Sequence, residues 1–205
     1  LQGLWGTLWI SAVTVLCGTL LGLLIAALRM SRSKLLNSFA GAYIEVLRGT
    51  PILLQLYFFW IGLPKLLPFE LSDTMCIVVA VVSDASAYIS EIIRAGINAV
   101  DKGQMEAARS LGMSRLLSTR TIILPQALRY ILPAIGNELI ALLKETAVAG
   151  YVAVVDLTRA GNLIRNNTYD AVNPLMIVAL SYLAMVIFLT YVLKGFERRL
   201  NKDKH

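Results

Sequence analysis

The sequence predicts an all-α polytopic membrane protein of about five transmembrane helices, and three observations carry that expectation. Of the 205 residues, 57% are hydrophobic and only 16% charged, which is too apolar for one soluble domain of this length. The stretch Leu1 to Leu28 contains no charged side chain, and about 20 apolar residues suffice to cross a hydrocarbon core about 30 Å thick. Apolar segments then recur over 4–28, 38–63, 74–93, 127–153 and 171–193, separated by short polar or basic stretches. The chain reads as a single transmembrane domain over 1–205, with no internal repeat and no low-complexity segment.

Each segment has its own logic. The first is too long for a signal peptide, has no basic stretch before it, and is followed by four more apolar segments. The second contains Gly49-Thr50-Pro51, where proline disfavours a continuous helix, and just before it Glu45 and Arg48 stand three residues apart on one helical face and can pair. The third carries Asp84, Tyr88 and Glu91. In the fourth, Pro133, Gly136 and Glu138 precede Lys144-Glu145, after which Ala147 to Val155 forms only a weak helix. The fifth is apolar up to Lys194.

Basic residues set the expected orientation. Arg29, Arg32 and Lys34 follow the first span. Arg94, Lys102, Arg109, Arg115, Arg120 and Arg129 lie between the third and fourth, and Lys194, Arg198, Arg199, Lys202 and Lys204 end the sequence. Together they are fourteen of the nineteen Lys and Arg, against Lys65, Arg159 and Arg165 on the other side. Basic loops stay cytoplasmic, so the N-terminus is expected outside and the C-terminus inside. The net charge of +6 needs no nucleic acid partner, only a membrane.

Several function classes are disfavoured. Cys17 and Cys76 lie in apolar stretches without metal-ligand spacing and read as small buried side chains, so no metal site is expected. No Gly-x-x-x-x-Gly-Lys-Ser/Thr phosphate loop occurs, and His205 is the single histidine, without a nucleophile-and-base arrangement. Neither nucleotide cofactor nor catalytic residue is expected in this chain.

The longest cytoplasmic loop, about 100–125, contains Glu106-Ala107-Ala108-Arg109-Ser110-Leu111-Gly112 and then, nine residues on, Ile122, followed by Leu124-Pro125. Residues 104–111 favour a helix, Gly112 marks a bend another backbone can approach, and 114–119 can begin a second short turn. Met105, Ala108 and Leu116 recur near helical spacing and could seat the helix in a partner's groove. An ordinary amphipathic loop helix is the competing physical reading.

This pattern resembles the signature loop of permease subunits in binding-protein-dependent ABC importers, and every fixed position matches. Glu45-Val46-Leu47-Arg48-Gly49-Thr50-Pro51, Ala87-Tyr88-Ile89-Ser90-Glu91-Ile92-Ile93-Arg94-Ala95-Gly96-Ile97, Gly103-Gln104 and Leu124-Pro125-Gln126-Ala127-Leu128-Arg129 resemble its polar amino acid branch, the histidine, arginine and glutamine type. The resemblance runs from about residue 5 to 195. It implies the type I ABC importer permease fold in a bacterial cytoplasmic membrane. It further implies a coupling helix in which Glu106, Ala107, Ala108 and Gly112 dock on an ATP-binding cassette subunit. Two copies of that subunit, holding ATP and Mg, would work with a second permease, identical or closely homologous, and an extracytoplasmic amino-acid-binding protein.

Charges inside a span cost at least about 2.5–3.5 kcal/mol on insertion scales, so each needs a partner or an aqueous path. Asp84 follows an apolar run and has no basic residue nearby in sequence. Glu91 lies two turns on and Tyr88 between them, making an acidic, partly aromatic strip suited to a cationic ligand. Many members of the family have a neutral residue such as Asn where this chain has Asp84, which points to arginine, lysine or histidine. The competing reading has Asp84 meet Arg48 or Lys144 from another helix. Glu145, with Lys144, either joins the substrate site at an interrupted helix or sits near the interface. Asp156 stands where the family has an acid. A neutral substrate such as glutamine is the alternative within the class. An ion-coupled secondary transporter using Asp84 and Glu91 as relays, or a scaffold that only anchors an ATPase, leaves the signature loop or the charges unexplained.

Overall fold

The computed structural model describes residues 2–68, 70–152 and 154–202, and Lys204 and His205 lie outside them. The described residues form helices and turns: α1 Gln2–Arg29, α2 Lys34–Gly49, α3 Ile52–Tyr57, α4 Leu63–Leu66, α5 Asp73–Asn98, α6 Lys102–Ser110, α7 Arg115–Ser118, α8 Leu124–Glu145, α9 Leu157–Thr168 and α10 Asn173–Lys202. One π turn joins α3 to α4, another joins α7 to α8, and a 3₁₀ segment, Thr146–Val152, follows α8.

By length and composition, α1, α5 and α10 can each cross a membrane, and the pair Lys34–Gly49 and Ile52–Leu66 counts as a fourth crossing if taken as one broken span. The expected fourth segment, α8, has the length at 22 residues but is less apolar, because it carries Arg129, Glu138, Lys144 and Glu145. It also ends at Glu145, so the segment expected over 127–153 is a helix followed by tighter 3₁₀ turns.

The centre of the structure is the packing of α1 on α5. Thr7, Ser11, Thr14, Gly18 and Gly22 are buried at three- and four-residue spacing along one face of α1. A methyl group on Gly22 would come within 2.9 Å of Ile89, and one on Gly18 within 3.1 Å of Ala85. In lipid, which is as apolar as any side chain, helices associate through close van der Waals contact, and small residues permit it. Around this pair, Ala85, Ile89, Ile93, Ala127, Ile131 and Leu142 form the core shared with α8, and Leu56, Ile77 and Val81 pack with Ala149 and Val152 at the other end.

The break in the second span follows from Pro51. It has no N–H to continue the α2 ladder, and the residue before a proline is driven to extended backbone, as Thr50 is at φ −114° and ψ 141°. Helix α3 restarts at an angle of 107° to α2. Asp156 accepts hydrogen bonds from the Arg159 and Thr158 amides at 2.7 and 3.2 Å, capping α9, and Tyr182 donates to it from α10 at 3.3 Å. It is fully buried, and burial pushes its carboxyl above the usual carboxylate range while the amides oppose that shift. This is a cap and tie between helices, with no opening to a cavity required.

Candidate functional site

The break at Pro51 brings the α2 C-terminus, α3 and the middle of α5 together, and the side chain at the junction is Gln55. Buried to 6% exposure, its amide Nε2 lies 2.7 Å from the Leu47 carbonyl, 3.0 Å from the Thr50 carbonyl, 3.1 Å from Thr50 Oγ1 and 3.0 Å from Asp84 Oδ1. An NH₂ group has two protons for these four acceptors, and Gln55 Oε1 is buried without a hydrogen-bond partner among the described residues. Residue-by-residue reading missed Gln55 because it lies 29 positions from Asp84; its signal was a lone amide just past a helix-breaking proline.

Asp84 is 4% exposed. Among the described residues no Lys or Arg nitrogen lies within 4.0 Å of it, so it does not meet Arg48 or Lys144. Lys144 is exposed on α8, and the Arg48 guanidinium sits over the Tyr88 ring, 5.1 Å from its centroid. The Glu45–Arg48 pair expected from their spacing is likewise not formed, because Tyr88 is brought under the guanidinium from α5. Tyr88 stands one turn beyond Asp84 on α5. Asp84, Glu138 and Glu145 each lie within electrostatic reach of another, and Arg48 of α2 lies within reach of Glu138.

Glu91 departs from the expected acidic strip. Arg94 Nε and Nη2 donate to its two carboxylate oxygens at 2.9 and 2.6 Å, a bidentate pair three residues apart on α5. That pair compensates the Glu91 charge locally, and the free anionic group of the third span is Asp84.

The loop expected to couple is built as two short helices at a sharp turn. Asp101 caps α6 through the Gly103 amide at 2.6 Å, and Ser114 caps α7 through the Leu117 amide at 3.2 Å. Helix α6 ends in a Schellman motif: the Met113 amide donates to the Ala108 carbonyl at 3.2 Å and the Gly112 amide to Arg109 at 3.0 Å, with Gly112 at φ +81°. Gly112 is therefore required by the backbone of its own chain, and nothing lies within 4 Å of where its Cβ would be.

The expected docking face is rotated. Ala108 is 2% exposed and Met105 packs on the core with Ile93 and Val100, so both hold α6 against its own protein rather than in a partner's groove. Glu106 and Ala107 point outward, joined by Leu111 and Leu116 at 84% and 79% exposure. Glu106, Ala107, Leu111 and Leu116 are thus among the loop residues a partner can touch.

Residues 18–202 match the family model described as binding-protein-dependent transport system inner membrane component. The arginine transport system permease protein ArtQ of Bacillus subtilis is 41% identical over 203 residues, covering 99% of this chain and 93% of that protein. The glutamine transport system permease protein GlnP of Escherichia coli is 35% identical over 201 residues, covering 98% and 92%. A solved structure described as an amino acid ABC transporter with histidines superposes with a TM-score of 0.92 at 44% identity, covering 96% of this chain and 92% of that one. The break at Pro51, the capped loop α6–α7 and these likenesses converge on one conclusion: the chain has the type I ABC importer permease fold and belongs to the family of inner membrane components of binding-protein-dependent transport systems.

Proposed function

We propose that this chain is the transmembrane subunit of an ATP-driven amino acid importer, forms half of its translocation pathway, and carries a cationic amino acid such as arginine, lysine or histidine. The observation that carries the substrate assignment is Asp84: a carboxylate buried among spanning helices, hydrogen-bonded only by a neutral amide, with no cation near it among the described residues. A guanidinium or ammonium brought by the substrate supplies the missing charge. Asp84, Tyr88 and Glu145 are assigned to substrate binding. Glu91 is assigned with them, held by Arg94 at the edge of the site.

Glu106, Ala107, Ala108 and Gly112 belong to the coupling loop, Ala108 and Gly112 by shaping α6 and Glu106 and Ala107 by contact. The partners are two ATP-binding cassette subunits, which hold ATP and Mg, a second permease, and an extracytoplasmic binding protein. With the N-terminus outside and residues 94–129 in the cytoplasm, closure of the ATPase dimer moves α6 and opens the cavity outward, and hydrolysis resets it. The signature loop supports this over an ion-coupled carrier. A neutral polar substrate such as glutamine is the second reading, favoured by the Gln55 amide beside Asp84 and by the glutamine permeases among the relatives.

The test is Asp84→Asn in the complex with its ATPase. Loss of one charge-assisted hydrogen bond is worth about 1.5–3 kcal/mol, so arginine should bind roughly tenfold or more weakly while glutamine changes less. Unchanged arginine affinity would refute the cationic assignment.

A further inference from the structure

Arg48 lies within electrostatic reach of Glu138 but, among the described residues, pairs with no acid in contact. It lies at the C-terminal end of α2, fourteen residues and about 21 Å of helix beyond Lys34, within the broken second span. Among the described residues its guanidinium forms no ion pair and donates no hydrogen bond. Its guanidinium carbon lies over the Tyr88 ring, 5.1 Å from the centroid, while the residue is otherwise exposed and its five N–H donors are free among the described residues. A cation in a membrane span with an oriented, unfilled donor edge calls for an anion, and planar guanidinium matches a carboxylate in bidentate geometry.

The neighbouring groups narrow the choice of anion. Arg48 is adjacent in sequence to Leu47, whose carbonyl shares the Gln55 amide with Asp84. Tyr88, beneath Arg48, stands four residues from Asp84 on α5, and residues so spaced have Cβ atoms about 5–6 Å apart. The region thus offers, among the described residues, an unpaired cation and an unpaired carboxylate that do not meet each other, linked through Tyr88 on one side and through the Leu47 carbonyl and the Gln55 amide on the other. A ligand that satisfies both has a carboxylate at one end and hydrogen-bond donors at the other, as an α-amino acid with a polar side chain has. Glu91, the other acid near Arg48 on α5, is held by Arg94 and does not compete.

We propose that Arg48, oriented by Tyr88, binds the substrate's α-carboxylate and is the residue that makes the pathway require an amino acid rather than an amine. This rests on the amino acid reading above and is independent of which side chain Asp84 prefers. Tyr88 then also positions the guanidinium, besides lining the substrate site.

The experiment uses the permease with its ATPase in liposomes and four probes: arginine, agmatine, which is arginine without its carboxylate, glutamine, and 4-aminobutanamide, which is glutamine without its carboxylate. The parent is expected to bind arginine at least tenfold more tightly than agmatine. In Arg48→Met that preference falls to within twofold, through loss of arginine binding rather than gain of agmatine, and the preference for glutamine over 4-aminobutanamide falls with it if glutamine binds. Among the described residues Arg48 makes no hydrogen bond, so Arg48→Met and Arg48→Gln remove its position over Tyr88 and its field at Glu138 but no hydrogen-bonded fold contact, and both are read.

A parent that distinguishes neither arginine from agmatine nor glutamine from 4-aminobutanamide, or a ratio for the amino acid it binds that is unchanged in either variant, overturns the proposal. Asp84→Asn should move the arginine-to-glutamine ratio and leave the arginine-to-agmatine ratio in place. If it leaves both in place while Arg48→Met collapses the second, the cationic assignment fails and the carboxylate site stands. A parent that binds neither amino acid overturns both.

Discussion

Replacing Gly112 separates the backbone requirement of the coupling loop from any contact it makes. At φ +81° the residue sits where an L side chain costs roughly 1–2 kcal/mol, and asparagine tolerates the region better than alanine or a β-branched residue. Nothing lies within 4 Å of the missing Cβ, so Gly112→Ala adds no clash and its whole effect is conformational. That cost acts on the turn closed by the Leu111, Gly112 and Met113 amides, which donate to Ala107, Arg109 and Ala108 at 3.1, 3.0 and 3.2 Å. One or two kcal/mol lowers the ratio of closed to open turn roughly 5–30-fold. Hydrogen exchange of the amides at 111–113 measures the opening directly, so Gly112→Ala should speed it by about that factor, Gly112→Asn by less and Gly112→Val by more. Amides in the Ala variant that exchange at the parent's rate, or an Asn variant as disturbed as Val, would refute the reasoning. Substrate-stimulated ATP hydrolysis measured on the same series should fall in the same order if the turn carries the coupling.

Gly96→Val should loosen α5 from α8, because its Cβ would clash with the Ile131 side chain. Overpacking of this kind costs typically 1–3 kcal/mol, seen as a lower thermal midpoint, and Ile131→Ala in the same chain should recover part of it. Asp156→Ala removes the α9 cap and the Tyr182 tie and should cost about 0.5–2 kcal/mol for the cap alone, with Asp156→Asn milder; equal midpoints for both variants and the parent would dismiss the cap. For topology, Gly103→Cys should resist an impermeant thiol reagent in intact cells and react after the membrane is opened. Labelling in intact cells would reverse the orientation.

What sequence alone determined here is local: where apolar runs are long enough to cross lipid, where Pro51 must interrupt a helix, and where Glu106 to Gly112 forms a helix and a stop. Each depends on a few consecutive residues, so period, hydropathy and backbone sterics suffice. Asp84 stood out on the same basis, as a charge in an apolar run. Its partner did not, because Gln55 reaches it only after the chain turns through 107°. The same holds for Arg48, which spacing paired with Glu45 and the fold stacks on Tyr88, and for Glu91, whose charge Arg94 compensates. Helical spacing grouped Met105 and Ala108 but could not say which side of α6 faces home. The core around Ile93 and Val100 decided that, leaving Leu111 and Leu116 outward. The small-residue face from Thr7 to Gly22 was invisible for a related reason: in lipid nothing polar marks an interface, and only the approach of α1 to Ala85 and Ile89 shows why those side chains are small.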